Sequence, residues 1–373
     1  MSSKPTLHVV ALPHTSTTEV FSSCAYTGKV RRFGKMMRAQ GYKTILYGSE
    51  LNDAEYDDHV TVVEEHKRQE WFGVGPFNTV LTPLEWDQSK PYWRYANTRT
   101  VEALLERADD RDILCLTTGW PQAPIANALP SLTVAEWAVG YEGVLPQSKR
   151  AFESSAWMHH VYGLQTERQG RWYDTVIPNF FDRDDFPRLG RGDGGYLLYL
   201  GRLVHRKGVE IAWQIAQRTG RKLIVAGPGA LEHRPGYIHA PEFELHGDPD
   251  QLEYVGEVRP AARAELIEHA HALLAPTLYL EPFGGVAVEA KLAGTPAITS
   301  DFGAFTETVE DGVTGFRFRT LAQAAQAVER AGSLNRHIVR QRTLARFSLE
   351  AVGPMFDRWF TDLDDLWDGG WDA

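Results

Sequence analysis

Cysteine is nearly absent from this chain: Cys24 and Cys115 are the two among 373 residues. That excludes a disulfide framework and a four-cysteine metal site, and fits a reducing compartment, with the cytoplasm as the expectation. Long apolar runs are absent as well. Leu7–Leu12 is too short for a signal core, and no stretch approaches the length of a membrane span. Positive charge is not in excess, the net charge being −10, which argues against a surface that grips nucleic acid throughout. Several catalytic signatures are missing: there is no Gly-x-Ser-x-Gly elbow, no phosphate-loop Gly-Lys-Ser/Thr, and Gly227-Pro-Gly229 lacks the third glycine of a dinucleotide fingerprint. His159-His160 and His269-x-His271 lack a third ligand at metal spacing, and Asp182-Arg-Asp184 and Asp248-Pro-Asp250 fall in loops where acidic pairs are solvated, so no dedicated metal is expected.

What is present is enough apolar material, 43% of residues, for a packed chain longer than one core usually supports, so two domains are expected. Strand Leu7–Leu12, helix Tyr26–Gln40 and strand Thr44–Tyr47 open the N-terminal half as a βαβ unit. Residues 66–97, rich in aromatics and turn formers, read as an inserted loop or lid before a helix at Thr98–Arg107 and a strand at Ile113–Thr117. A strand near Ser131–Val139, the turn Gly140–Gly143 and a helix near Lys149–Tyr162 follow, and the stretch after Thr175–Asn179 reads as a linker. A second alternation starts at Tyr196–Leu200 and continues through helix Val209–Arg218, strand Lys222–Ala226, helix Ala261–His271, strand Ala272–Pro276, strand Pro296–Ser300 and helix Leu321–Arg330. Two such runs imply an α/β chain of two Rossmann-like doubly wound parallel sheets, with ligands bound at the carboxyl ends of strands in a central cleft.

The most informative stretch is Glu281-Pro-Phe-Gly-Gly-Val-Ala-Val-Glu289, closed by Lys291-Leu-Ala-Gly294-Thr-Pro296. Its glycine pair lets backbone approach a ligand, and the helix it opens offers unpaired N–H groups and a positive dipole end to an anion. Eight positions apart on one helix, the glutamates would be separated by roughly 80°, so Glu281 is placed in the loop and Glu289 inside the helix. Carboxylates accept hydrogen bonds and do not donate them, so beside a diphosphate their partners are the hydroxyls of sugar and ribose.

With Ile177-Pro-Asn179, Gly201-Arg202-Leu-Val-His-Arg-Lys207-Gly208, Tyr254-Val-Gly256-Glu-Val258, the spaced glutamates and Glu310-Asp-Gly-Val-Thr-Gly315 in this order, the chain from about 175 to 360 resembles the retaining GT-B glycosyltransferases of the family 4 type. The resemblance implies a donor domain over 188–345, an acceptor domain over 1–187, and a helix within 346–373 that crosses back to the latter. It implies transfer of a sugar, with retention and without metal or cofactor, from a nucleoside diphosphate (UDP or GDP) to an acceptor hydroxyl of a carbohydrate, a metabolite, a lipid head or a hydroxylated nucleobase in DNA. Arg202 and Lys207 would offset the charge that gathers on the leaving diphosphate, and Glu281 would hold the donor sugar. Gly201, Phe283, Gly284, Gly285 and Val286 would surround the donor, Val258 would meet the base through backbone, and Glu289 would bind ribose.

The N-terminal half departs from that family. Its glycine-rich first loop is replaced by His14-Thr-Ser-Thr-Thr18, where His14, Thr15 and Thr17 either contact phosphate or acceptor or form a local cap and turn. A histidine usual after the strand that ends at Val139 is replaced by Gly140-Tyr141-Glu142-Gly143, where Tyr141 or Glu142 takes over its work or simply decorates a tight turn. Glu307 and Thr306, after the strand Ala297–Ser300, either approach the cleft or are solvated, and solvation is the expectation. The aromatics of 66–97 suit stacking on a sugar or base, and the basic stretch Lys29–Arg38 suits an anionic acceptor, nucleic acid or lipid head. Two rival readings stand: a nucleotide-sugar isomerase or hydrolase, and a catalytically silent nucleotide-sugar binder.

Overall fold

The computed structural model describes residues 4–73, 84–166 and 170–367, which divide into two compact units. The first takes in the chain to Glu153, then Met158–Phe180 and the residues from Leu349 on. The second comprises Ser154–Trp157 and Phe181–Ser348.

The first unit carries β1 (Leu7–Val10), α1 (Ala25–Ala39), β2 (Thr44–Ser49), β3 (Asp58–Val63), α2 (Glu65–Phe72), α3 (Pro91–Leu105), β4 (Ile113–Leu116), α4 (Ala123–Ala128), β5 (Thr133–Val139), β6 (Lys149–Phe152), most of α5 (Ser155–Leu164) and β7 (Thr175–Val176). Its seven strands pair in parallel in the order β3-β2-β1-β4-β5-β6-β7. Helices on both faces bury the central strands completely, which is why β1 and β4 read as unbroken apolar runs. The exception is His8 in β1, fully buried, whose ring bonds the Tyr47 hydroxyl at 2.9 Å and Asp112 at 3.0 Å.

The second unit holds β8 (Leu197–Leu200), α6 (Val209–Thr219), β9 (Leu223–Ala226), β10 (Glu232–Arg234), β11 (Tyr237–Ala240), β12 (Phe243–His246), β13 (Leu252–Gly256), α7 (Pro260–His269), β14 (Ala272–Ala275), α8 (Gly285–Leu292), β15 (Ala297–Ser300), α9 (Phe305–Thr308), β16 (Gly315–Phe318), α10 (Leu321–Ala331) and α11 (Arg336–Phe347). Six strands pair in parallel in the order β13-β9-β8-β14-β15-β16, and β10-β11-β12 form a small antiparallel sheet. Strand order reverses between β8 and β14 here, and between β1 and β4 in the first unit. At such reversals the connections leave in opposite directions and open a crevice at the carboxyl edge.

α12 (Leu349–Trp367) belongs to the first unit, where Val352, Phe356 and Phe360 enter a core built on Phe33, Trp137 and Phe180. Phe33 stacks on Trp137 at 4.0 Å and meets Phe356 edge-on at 5.5 Å.

Two elements differ from the sequence reading. The helix expected over Lys149–Tyr162 is a strand, β6, followed by α5, because Ala151 and Phe152 are fully buried beside β5 and β7. The loop expected over 66–97 is flanked by α2 and by an α3 that starts at Pro91, a proline at the first helical turn where its missing N–H costs nothing. Residues 74–83 of that stretch lie outside those described. Trp93 is fully buried, and Trp71, Phe72, Tyr92 and Tyr95 pack on one another, whereas Trp86 keeps an open face. Among the described residues no helix is long and apolar enough to cross a membrane.

Candidate active site

Both loops at the β8/β14 reversal are tied together before any side chain is considered. After β8 the chain makes a short turn, His205–Lys207, and closes it with Gly208 at φ +74°, where a Cβ would stand 1.9 Å from the Pro276 carbonyl oxygen. Glycine therefore lets the Lys207 turn lie directly against the chain leaving β14, and the Leu278 N–H donates to the Arg206 carbonyl at 2.8 Å. Lys207 is thereby aimed at Tyr279 and Glu281. Its ammonium donates to the Tyr279 hydroxyl at 2.7 Å and to Glu281 Oε2 at 2.9 Å. Glu281 is buried.

Arg202, at the end of β8, is exposed, and its side chain makes no hydrogen bond among the described residues. Its carbonyl accepts the Tyr199 hydroxyl at 3.0 Å. Burial first, and then the negative field of Glu281, push the pKa of Tyr279 and Tyr199 well above the ordinary tyrosine range; Arg202 opposes both shifts, with Arg206 also opposing that of Tyr279. The Arg206 guanidinium lies 5.2 Å from the centre of the Tyr279 ring. Lys207 thus joins Glu281 to Tyr279 at the carboxyl edge, with Tyr199, Arg202 and Arg206 in the same electrostatic neighbourhood.

α8 starts at this place. Gly284 caps it at φ +78°, and a Cβ there would stand 2.2 Å from the Phe305 ring. A Cβ on Gly285 would meet nothing closer than Phe181 at 3.5 Å. The N–H groups of Gly285 and Val286 head the helix and have no intrahelical acceptor. Glu289 lies inside α8, 3.6 Å from Arg263 on α7, whose Nε is buried with no hydrogen bond. Val258 and Val286 pack partly buried on the core beneath. The Phe283 side chain is buried in that core, stacked on Phe181 at 6.2 Å and edge-on to Phe347 at 5.7 Å.

Glu307 is not a solvated acid. Its two oxygens accept the N–H groups of Ser155 at 2.9 Å and Ala156 at 2.8 Å, and so cap the start of α5. Asp182 and Asp248 likewise accept the N–H of Asp184 at 3.0 Å and of Asp250 at 2.8 Å, so both Asp-x-Asp stretches are local turns. Among the described residues no three His, Cys, Asp or Glu side chains converge on a cation position.

In the first unit, a second cluster occupies the carboxyl edges of β1, β5 and β6. His14 Nε2 lies 3.8 Å from Cys24 Sγ, and its Nδ1 is buried without a hydrogen bond. Burial pushes the Cys24 thiol up, but hydrogen bonding and charge from His14, with help from Thr27, outweigh it and bring it down to about 6. Thr15 and Thr17 are buried, the Thr15 hydroxyl sharing a 2.6 Å hydrogen bond with that of Thr27 and the Thr17 backbone bridging to that of Asn52. The Tyr141 hydroxyl donates to Glu136 Oε1 at 2.7 Å, helping to satisfy a fully buried carboxyl whose pKa burial raises. Glu142 is exposed and pairs with His160 at 2.9 Å.

The basic stretch is not a bare cationic patch. Lys29 is buried against Glu153, Arg31 pairs with Asp53 at 2.7 Å, and Arg38 pairs with Asp57 at 3.0 Å. Lys29–Glu153 and Tyr279 are the features that the sequence reading missed.

Residues 181–338 match the family model "Glycosyl transferases group 1". The chain is 34% identical over 203 residues to a glycogen synthase of Mycobacterium tuberculosis, an overlap of 48% of this chain and 46% of that one. The chain thus spans about half the length of the curated relatives it matches. Among solved structures, sucrose-phosphate synthase from Thermosynechococcus elongatus superposes with a TM-score of 0.68 at 15% identity, covering 96% of this chain and 99% of that one. The Anabaena protein HepE, in complex with UDP and glucose, does so with a TM-score of 0.61 at 14% identity, covering 96% and 99%. The two parallel-sheet units are those of the GT-B fold.

Proposed function

Because the chain carries a glycosyl transferases group 1 domain over residues 181–338, we propose that it moves a hexose-like sugar from a nucleoside diphosphate to an acceptor hydroxyl with retention of anomeric configuration. The observation that carries this reading is the Lys207–Glu281 pair at the β8/β14 reversal, with Arg202 beside it and the head of α8 next in sequence. Breaking the bond from anomeric carbon to phosphate leaves negative charge on the diphosphate. Arg202, Lys207 and the N–H groups of Gly285 and Val286 are the groups that would receive it, the lysine by exchanging its carboxylate partner for phosphate. Glu281, released from the lysine, would accept hydroxyls of the donor sugar, and Glu289 those of the ribose. These cations and amides take the place that a divalent metal fills in other transferases, so turnover is expected to survive chelation. UDP and GDP are the expected nucleotides, and the cytoplasm is the expected setting.

The experiment is a thermal-shift panel of UDP and GDP sugars. A donor at a hundred times its dissociation constant should add about 2.7 kcal/mol of stability. Stabilisation that persists in Lys207→Ala and Arg202→Ala at wild-type strength would refute the site. Release of free sugar from donor without any acceptor would favour the hydrolase reading instead.

A further inference from the structure

Glu153, directly after β6, is the first unit's unexplained carboxylate. Its side chain is 6% exposed and that of Lys29, on the first turns of α1, is 7% exposed. Oε1 accepts the Lys29 ammonium, which also lies 4.3 Å from the centre of the Tyr26 ring. Oε2 accepts no hydrogen bond among the described residues. A Cβ on Gly140, at the end of β5, would stand 2.9 Å from that oxygen, so glycine there leaves the carboxylate its room. A buried ion pair contributes little net stability, because desolvating two charges offsets their attraction, and a carboxylate left half-satisfied contributes less. Its place at the carboxyl edge of a parallel sheet is where such folds bind ligands.

The surroundings indicate which ligand. Tyr26 meets Trp86 edge-on at 6.0 Å and Tyr141 at 6.4 Å, and Trp86 is 48% exposed. An aromatic wall beside a hydrogen-bond acceptor suits the apolar face and hydroxyls of a sugar. An anion is disfavoured: it would meet the lone pairs of Glu153, and Lys29, unlike the 22% exposed Lys207, is itself only 7% exposed, with its ammonium turned to the carboxylate.

Building on the transferase reading, we propose that Glu153 Oε2 accepts a hydroxyl of a neutral carbohydrate acceptor stacked along Trp86 and Tyr26, with Lys29 as the positioning residue that holds the carboxylate. The acceptor class is therefore a sugar, not a lipid phosphate or nucleic acid.

The test titrates the full chain with maltose, sucrose and methyl glucoside by saturation-transfer NMR, with the thermal shifts from UDP and GDP measured in parallel. At least one sugar should bind in the millimolar range. Glu153→Ala and Trp86→Ala should each weaken it tenfold or more, and Glu153→Gln, which keeps a carbonyl oxygen, should stay within threefold. The nucleotide shifts should be unchanged in every variant, which also certifies that each is folded. Binding of none of the three sugars, or undiminished binding by Glu153→Ala, overturns the assignment. Absence of a shift from both UDP and GDP in the wild-type chain would count against the donor reading instead, so the two failures are distinct.

Discussion

The Lys207 ammonium is 2.9 Å from Glu281 Oε2, so the two groups most suited to a sugar diphosphate are charge partners of each other. On the function proposed above, donor binding would exchange one charge partner for another and leave no lysine or carboxylate stranded. Removing one member strands the other.

Lys207→Ala should cut kcat/KM by about a hundredfold or more, the loss typical for a group that meets developing charge. It should also lower Tm, since Glu281 is buried and loses its cation, though by less than the roughly 3–5 kcal/mol of a fully buried pair because Lys207 reaches solvent. Lys207→Met combined with Glu281→Gln should recover most of the Tm and none of the turnover. Denaturation and steady-state kinetics on the three proteins check this.

Adjacent glycines should separate folding from binding. Gly284→Ala forces a side chain into the left-handed region and into the Phe305 ring, costs of about 1–3 kcal/mol each. Gly285→Ala finds only an ordinary contact and should melt within a few degrees of wild type. Calorimetry would show it; equal destabilisation by both variants would contradict the geometry.

Lys291 should make stability depend on pH. It is 1% exposed, its ammonium donates to the Thr308 carbonyl, and burial, with some repulsion from Arg346, brings its pKa down from 10.5 to about 7. Between those values the unfolded chain binds the extra proton, so stability rises with pH, and the cost of a buried charge is complete below about 7. The Tm difference between wild type and Lys291→Met should therefore shrink from pH 6 to pH 9. A constant difference would mean that the folded lysine stays protonated.

Cys24 should be the reactive thiol. With its pKa brought down to about 6, iodoacetamide at pH 7 should label it well before Cys115, which is fully buried and whose thiol burial pushes up. His14→Ala should move the labelling rate to higher pH. Peptide mass spectrometry across a pH series reads both.

The second unit was legible because its chemistry is written in short spacings. Glycine, carboxylate and cation positions fix which strand ends they follow, and Glu281 in the loop with Glu289 in α8 is where the spacing put them. Side-chain direction inside a loop is not encoded that way, so the spacing did not reveal that the Phe283 side chain fills the core. The first unit hides its pairings by distance: 124 residues separate Lys29 from Glu153, and the hint, Gly140, reads like any turn glycine. β6 was misread because four residues, Lys149 to Phe152, hold too little periodicity to be told from a helix start.

The first unit is discontinuous along the chain, and this sets an order for its making. Residues Phe181–Ser348 have nearly all of the second unit's strands and helices once they leave the ribosome. The first unit, although begun earlier, lacks Val352, Phe356 and Phe360 until the last long helix has been synthesised, so Phe33 and Trp137 wait without the aromatic rings that cover them. The earlier-made unit is thus the later to be completed, and a chain stalled before Leu349 presents an open aromatic core to whatever chaperone or protease meets it.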